Sequence, residues 1–479
     1  MTIVITLEQY EERIKKRERQ LREEFTNTSR KDKDRIALLE KQLAAAEALG
    51  RSPDQGLKNF KDVLAGASQS LDQLGAKVAA EELDSARKAL ARGDTTEAER
   101  LFQRELGQDK ARAAEAAYQL GQLAECRIDY ATAATYYDKA VNPQSENPQY
   151  LNAAGLMAYT FSRYGDAELL FEQSLAITKK ALGPEHPDVA ESLNNLAALY
   201  RVQDLYAKAE PLYQQALVIL KKDLGPEHPD VAEGLNNLAG LYHSQGLYAK
   251  AEPLYQQALA IWKRALGPEH PDVAENLNNL AALYHSQGLY AKAEPPYQQA
   301  LAIWKKAFGP QHPNVAESLN NLAGLYHSHG LYAKAEPLYQ QALVILKKAL
   351  GPEHPDVAEN LNNLAALYHS QGLYAKAEPL YQQALAIWKK ALGDEHPDVA
   401  TSLNNLAGLY DAQGLYAKAE PLYQQALVIL EKTLGPEHPA VPTALENYAE
   451  LLSHLKRDKE AADLRAQAKA ARARLANRS

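Results

Sequence analysis

Thirteen histidines are the side chains of this 479-residue sequence that first invite a chemical reading. Imidazole ligates metals and moves protons near neutral pH. Seven of the thirteen sit in the string Gly-x-x-His-Pro, at His186, His228, His270, His312, His354, His396 and His438, and every interval is 42 residues. Four more, His243, His285, His327 and His369, form a second ladder with the same period, which begins at Arg201 and ends at Asp411. One copy per 42 residues places one histidine on each structural unit. Neighbouring units of a helical stack lie about 10 Å apart, too far for two imidazoles to share a zinc held by bonds of about 2 Å. The sequence has no His-Glu-x-x-His string and a single cysteine, Cys126. No metal, cofactor or disulfide framework is therefore expected, and each linker histidine reads as a packing or hydrogen-bonding group at a turn. Phosphate loops, dinucleotide fingerprints and nucleophile elbows are also missing from the sequence. Its many carboxylates recur with the repeat, which fits structure better than one acid/base pair. The expectation is a protein that is not an enzyme.

The elements that must carry these ladders follow from the repeat itself. Six full units run from 183 to 434, and blocks 225–266 and 351–392 differ only at Gly234/Asn360, Gly240/Ala366 and Arg264/Lys390. In the Gly225 unit, Gly225-Pro226-Glu227-His228-Pro229 is turn chemistry. Pro229 suits the first position of a helix, where a missing N–H costs nothing. The spacing predicts a first helix over Pro229–Ser244, a break at Gln245-Gly246, and a second helix from Tyr248 to about Leu266. At 100° per residue, Leu235, Leu238, Ala239 and Tyr242 share one face of the first helix, with Leu241 at its edge. Glu233, Asn236, Gly240 and His243 lie opposite. Tyr248, Ala251, Tyr255, Ala258, Leu259 and Trp262 line the second helix. A lone hairpin cannot bury such faces, so copies must stack into a solenoid.

Eighteen of the 27 tyrosines fall in the six copies, three to each, on helix-packing positions. Trp262, Trp304 and Trp388 share a position that holds Leu220, Leu346 and Leu430 elsewhere, which marks packing rather than a ligand box. Pro295-Pro296 is expected to delay the start of its helix locally.

The run from Leu235 to Leu259, Leu-Asn-Asn-Leu-Ala-Gly-Leu-Tyr-His-Ser-Gln-Gly-Leu-Tyr-Ala-Lys-Ala-Glu-Pro-Leu-Tyr-Gln-Gln-Ala-Leu, resembles a tetratricopeptide repeat (TPR). With its linker Leu-Gly-Pro-Glu-His-Pro-Asp-Val-Ala, it resembles the 42-residue variety found in kinesin light chains and their bacterial relatives. The resemblance implies an all-α, right-handed solenoid of about ten helix pairs. Divergent units are expected within 76–146 (at 79–107 and 111–142) and at 147–182. The array then extends to 434, and a terminal pair over 435–479 replaces apolar surface with Lys456, Arg457, Lys459, Arg465, Lys469, Arg472 and Arg474, as a polar cap requires. Residues 1–75 are expected to form a charged helical leader. Leu7, Tyr10, Ile14 and Leu21 stand near heptad spacing, which reads as a short, imperfect coiled coil. Such a leader could pair with another chain, fold back on the first repeats or stay exposed. A helical stretch is expected at 57–74.

In this family the polar stripe of the first helix faces a concave groove. The groove would then present Glu191, Glu233, Glu275, Glu317 and Glu359; Asn194, Asn236, Asn278, Asn320, Asn362 and Asn404; and His243, His285, His327 and His369. The small residues Ala198, Gly240, Ala282, Gly324, Ala366 and Gly408 would lie between these rows. An ordinary solvated helix face has the same look. Read as a site, the stripe offers amides that both donate to and accept from a peptide backbone. Asn236, Asn278, Asn320 and Asn362 are the central candidates. Kinesin light chains hold acidic cargo with basic residues, whereas this stripe carries glutamates, so a neutral or basic segment is the expected ligand. Histidine protonation near pH 6 would weaken binding of a basic ligand.

The function expected is a non-catalytic scaffold for protein–protein interaction. Self-assembly into homo-oligomers or filaments through periodic surfaces is the alternative, and an adaptor role in bacterial signalling or defence is a third reading. The net charge of −8 argues against nucleic acid as a partner. No apolar run approaches the roughly 20 residues of a membrane span. Met1 to Thr6 is too short for a signal peptide. A soluble, cytoplasmic protein is expected.

Overall fold

The computed structural model describes residues 63–71, 80–90, 95–106, 110–125, 129–141, 147–436 and 438–476. The leader up to residue 62, with its coiled-coil expectation, lies outside them. Residues 63–71, inside the expected 57–74 stretch, are helical, and Ala67 and Leu71 are buried against Ala86, Leu90 and Leu101.

From residue 80 onward the described chain is ten helical pairs. In each pair we term the first helix A and the second helix B. The Gly225 unit shows why the repeat folds this way. Its helix A spans Pro229–Ser244, and its helix B spans Tyr248–Ala265. Gly246, at φ 71°, makes the left-handed turn between them. The linker histidine starts helix A. The Nδ1 of His228 accepts the N–H of Asp230 at 3.2 Å, and Pro229 follows at the first helical position. The same cap recurs at His186, His270, His312, His354 and His396. Histidine thus performs the N-cap work more often given to Ser, Thr or Asp.

The apolar core is one cluster through the earlier units and divides in two along the later ones. One, toward the linker end of the hairpins, contains Val231, Leu235, Ile261 and Trp262. The other, toward the A/B turns, contains Leu325, Tyr326, Ala335 and Tyr339. Trp262, Trp304 and Trp388 are buried in the first core, as are Leu220, Leu346 and Leu430, so the tryptophan position is one of packing. Between units, Tyr242 Oη donates to Glu210 at 2.7 Å, and Lys250 lies 4.9 Å above the same ring. Equivalent Tyr–Glu bonds recur from Tyr200 to Tyr410. The tyrosine excess therefore includes a hydrogen bond that ties each helix A to the preceding helix B.

Pro295-Pro296 does not delay its helix, contrary to expectation. The helix begins at Tyr290, in register with the others, and buried Ala293 and Tyr297 hold it there. The terminal pair Ala440–His454 and Asp458–Ala476 buries Ala461, Ala468 and Ala471. It turns charge outward, with Arg472 Nη2 on Glu446 at 2.6 Å.

Successive coils of the solenoid touch. The Nε2 of His396 lies 3.1 Å from Ser162 Oγ and 3.2 Å from the Thr160 carbonyl. His438 Nε2 lies 3.2 Å from Asp204 Oδ2 and 3.4 Å from the Val202 carbonyl. These partners are 234 to 236 residues apart, so the chain closes a superhelical turn in between five and six units. The A/B turns that receive these histidines depart from the repeat. Ser162 and Asp204 hold positive φ, at 56° and 55°, where the later copies have glycine.

Candidate functional site

Helix A has a single stripe open to solvent. In the Gly225 unit Val231, Ala232, Leu235, Leu238, Ala239, Leu241 and Tyr242 are buried, whereas Glu233, Asn237, Gly240 and Ser244 are not. Those four follow one another at four-, three- and four-residue steps, one line along the helix. Among the described residues consecutive A helices approach one another more closely than consecutive B helices do. The A helices therefore lie on the inside of the curve, and their open stripe is the inner wall of the superhelix.

The glutamate row lies on this wall. Glu191, Glu317 and Glu359 are exposed within the concave side of the coil, and Glu233 and Glu275 are half-buried. Enclosure by the coil raises the Glu191 carboxyl, with Asp188 and Glu233 adding repulsion. The same enclosure, reinforced by Glu275, Glu359 and Asp356, pushes Glu317 up to about 7. Glu359 is likewise pushed up to about 7, with Asp356 and Asp398 adding to the enclosure. Like charges crowded into a confined space favour the protonated acid.

The asparagine row is more deeply set than a solvated face would be. Asn236, Asn278 and Asn362 are buried; Asn194, Asn320 and Asn404 are half-buried. Their amides tie neighbouring A helices together. Asn236 Oδ1 accepts from Asn276 Nδ2 at 3.2 Å and Asn279 Nδ2 at 3.1 Å. Asn320 Oδ1 accepts from Asn360 and Asn363 at 3.1 and 3.3 Å. Asn362 and Asn404 accept from Asn405 and Asn447. Asn278 exchanges hydrogen bonds with Ser318. Where Gly234 replaces that Asn or Ser, Asn194 Oδ1 is buried with no hydrogen-bond partner. The row is thus a ladder between units, with its carbonyl oxygens already engaged from Asn236 to Asn404. Among the described residues nothing accepts from the Nδ2 groups of Asn236, Asn320, Asn362 and Asn404, which keep contact with water.

The histidine row sits at the end of helix A beside the next unit. His243 Nε2 is 2.9 Å from Ser286 Oγ, and His327 Nε2 is 2.9 Å from Ser370 Oγ. Each of the four imidazoles also lies near the first tyrosine of its own helix B, with centroids 5.8 to 6.0 Å apart. Burial lowers the pKa of His243, His285, His327 and His369, and Arg201 adds to this at His243. Burial thus draws the imidazoles of the inner wall down, while enclosure draws the Glu317 and Glu359 carboxyls up.

A cavity of about 380 Å³ opens on this wall between Glu317, Asn320, Glu359 and Asn360, with His354 and Asp356 below and Tyr130 from the preceding coil beside it. Desolvation raises the Asp356 carboxyl and lowers His354.

Several of these features escape a reading of residue periodicity. The histidine cap had a signal, in that His precedes Pro at every linker. Coil-to-coil contacts had only the departures at Ser162 and Asp204. Among the described residues no group of His, Cys, Asp and Glu could hold a metal ion, and no helix is long and apolar enough to cross a membrane.

Comparison with known proteins agrees with this architecture. A tetratricopeptide repeat model matches residues 146–222, 188–260, 230–306, 277–348, 330–386, 356–432 and 412–474, and a second matches 83–148. The chain belongs to the tetratricopeptide repeat family. Among curated proteins no match is found. Solved structures similar to it include BtubC (BKLC) from P. vanneervenii, at 27% identity over 49% of this chain and 92% of that one, with a TM-score of 0.39. A putative kinesin light chain from P. anserina, with nearly identical TPR-like repeats, is 32% identical over 43% of this chain and 98% of that one, TM-score 0.37. A Rap protein complexed with Competence and Sporulation Factor is 16% identical over 77% of this chain and 100% of that one, TM-score 0.45.

Proposed function

We propose that this protein is a non-catalytic interaction scaffold that takes an extended neutral or basic protein segment along the inner wall of its superhelix. The observation that carries this reading is the acidic stripe. Glutamates stand one per unit from Glu191 to Glu359, and enclosure by the coil, with repulsion between neighbouring carboxylates added, pushes Glu317 and Glu359 up to about 7. A cationic ligand would relieve that repulsion, an anionic one would increase it. Solenoids of this family present concave surfaces of this kind to partners.

The test is fluorescence anisotropy with a labelled lysine-rich 18-residue peptide and its glutamate counterpart. The basic peptide is expected to bind, to weaken with salt, and to weaken as pH falls from 8 to 6. The sign follows from the carboxylates, which gain protons and lose charge as pH falls through about 7. Equal binding of the acidic peptide, or no binding of either, removes the reading.

One observation favours homo-oligomers as a second reading. The coil edges that meet at His396 and His438 have exposed counterparts at His186 and His228, and at Leu373 and Leu415 beside the later A/B turns. Sedimentation velocity across concentration and salt tests it, and a monomer under all conditions dismisses it.

A further inference from the structure

The tyrosine two turns into each helix B is set apart from the other two of its unit. Tyr255, Tyr297, Tyr339, Tyr381 and Tyr423 are no more than 5% exposed. Their rings pack in the core, yet each hydroxyl keeps contact with water, and among the described residues none has a hydrogen-bond partner. Each is a donor that no protein group accepts and that is left to water or to a ligand, five of them in register. The Tyr242 class differs, because its hydroxyls are spent on glutamates of the preceding unit.

The hydroxyls emerge on the inner wall, beside the small-residue row. A Cβ on Gly240 would lie 3.6 Å from Tyr255 Oη; on Gly324, 3.6 Å from Tyr339 Oη; on Gly408, 3.4 Å from Tyr423 Oη. The small residue at each position thus leaves the way to the hydroxyl clear, while alanine at 282 and 366 still fits by ordinary contact. At the first copy the row is closed differently. Arg201 stands beside Tyr213, and its Nη1 would lie 4.0 Å from a Cβ on Gly240, so this cation also borders the Tyr255 rung.

We infer that the hydroxyls of Tyr255, Tyr297, Tyr339, Tyr381 and Tyr423 are a ladder of donors for the backbone carbonyls of an extended basic peptide, one rung for every three peptide residues. The register follows from two lengths. Units follow one another at about 10 Å along the wall. Three residues of a polyproline II backbone span about 9 Å and return every third side chain and carbonyl to the same face. The glutamates repeat with the same pitch, about two helical turns from each small residue. A peptide with a cationic side chain at every third residue then meets one hydroxyl and one carboxylate per unit. The inference rests on the proposed scaffold function and adds to it the donors and the spacing.

The test compares the full-length protein with the triple variant Tyr297→Phe/Tyr339→Phe/Tyr381→Phe. The probe is labelled (Lys-Ala-Ser)6, read beside an 18-residue peptide of the same composition with its lysines in one block. Phenylalanine keeps the ring and its packing, so the thermal unfolding curve should be unchanged. The variant is expected to bind the spaced peptide at least 10-fold more weakly, and the wild-type protein should prefer the spaced peptide to the block. Tyr284→Phe/Tyr326→Phe/Tyr368→Phe should do the opposite, lowering the unfolding temperature because Glu252, Glu294 and Glu336 lose their donors. Basic peptide bound equally by wild type and the Tyr297/Tyr339/Tyr381 variant overturns the hydroxyl ladder and leaves the scaffold standing. Failure of the wild-type protein to bind either peptide overturns both.

Discussion

The linkers of the first superhelical turn and those of the second are written almost alike, yet they live in different surroundings. His186, His228 and His270 are 40%, 39% and 34% exposed at the side chain, whereas His354, His396 and His438 are 8%, 9% and 17% exposed. The local work is the same in both. Each Nδ1 accepts a backbone N–H two residues on, between 3.1 and 3.3 Å. Only on the second turn does the coil beneath supply a partner for Nε2, at Ser162, Thr160, Val202 and Asp204. With Nδ1 accepting, Nε2 carries the ring proton and donates, so cap and coil contact require the same tautomer. A residue chosen for a local cap thus becomes a tertiary contact wherever one coil overlies another.

The comparison can be broken most sharply by deleting the histidines. His396→Ala/His438→Ala should cost roughly 2 kcal/mol at each site, from the lost cap and the lost cross-coil bond. His186→Ala/His228→Ala should cost roughly 1 kcal/mol each, for the cap alone. Hydrogen exchange of the helices beginning at Pro397 and Pro187 reads these locally, as a repeat array demands. Equal losses on the two turns would show that the overlap contributes nothing.

A smaller effect is expected where the first coil receives the second. Asp204→Gly relieves a left-handed conformation that costs a side-chain residue about 1 kcal/mol, and it removes the acceptor of His438. Local stability should fall by only about 1 kcal/mol, because the relieved strain partly offsets the lost hydrogen bonds from His438 and Tyr206, each worth about 1 kcal/mol. Small-angle scattering should instead report a larger radius of gyration as the coils part. An unchanged radius would place the closure elsewhere.

The smallest effect is in the titration of His354. Burial lowers its pKa, opposed by Asp356. A base whose folded pKa lies below the unfolded value keeps its full contribution above about 6.5 and loses it as pH falls through the lowered value. The Asp356 amide, whose N–H donates to His354 Nδ1 at 3.1 Å, should shift in NMR spectra with a midpoint below 6.5. A midpoint at or above 6.5 would contradict the closed surroundings of this linker.

Much of this was legible in the residues. Pro229–Ser244 is the observed helix, residue for residue, because proline at its start and Gln245-Gly246 at its end are local signals. The second helix ends at Ala265, one residue short of Leu266. The rows of glutamate, asparagine and histidine were readable as one stripe, since spacing alone decides which residues share a helix face. What they touch was not readable. Asn236 looked like a free amide and is held by Asn276 and Asn279 of the next unit. Tyr242 and Tyr255 both looked like packing residues, but one spends its hydroxyl on Glu210 and the other opens it to the groove past Gly240.

The sequence by itself determined the hairpin, its caps, its apolar faces and the need to stack, because these depend on contacts within one unit or with an identical neighbour. The tertiary structure alone decided how tightly the stack curves. Curvature is the sum of small rotations between units, and no single unit encodes where the sum closes. That closure encloses Glu317 and Glu359 and raises their pKa, and it brings His396 onto Ser162 and His438 onto Asp204 from more than 230 residues away.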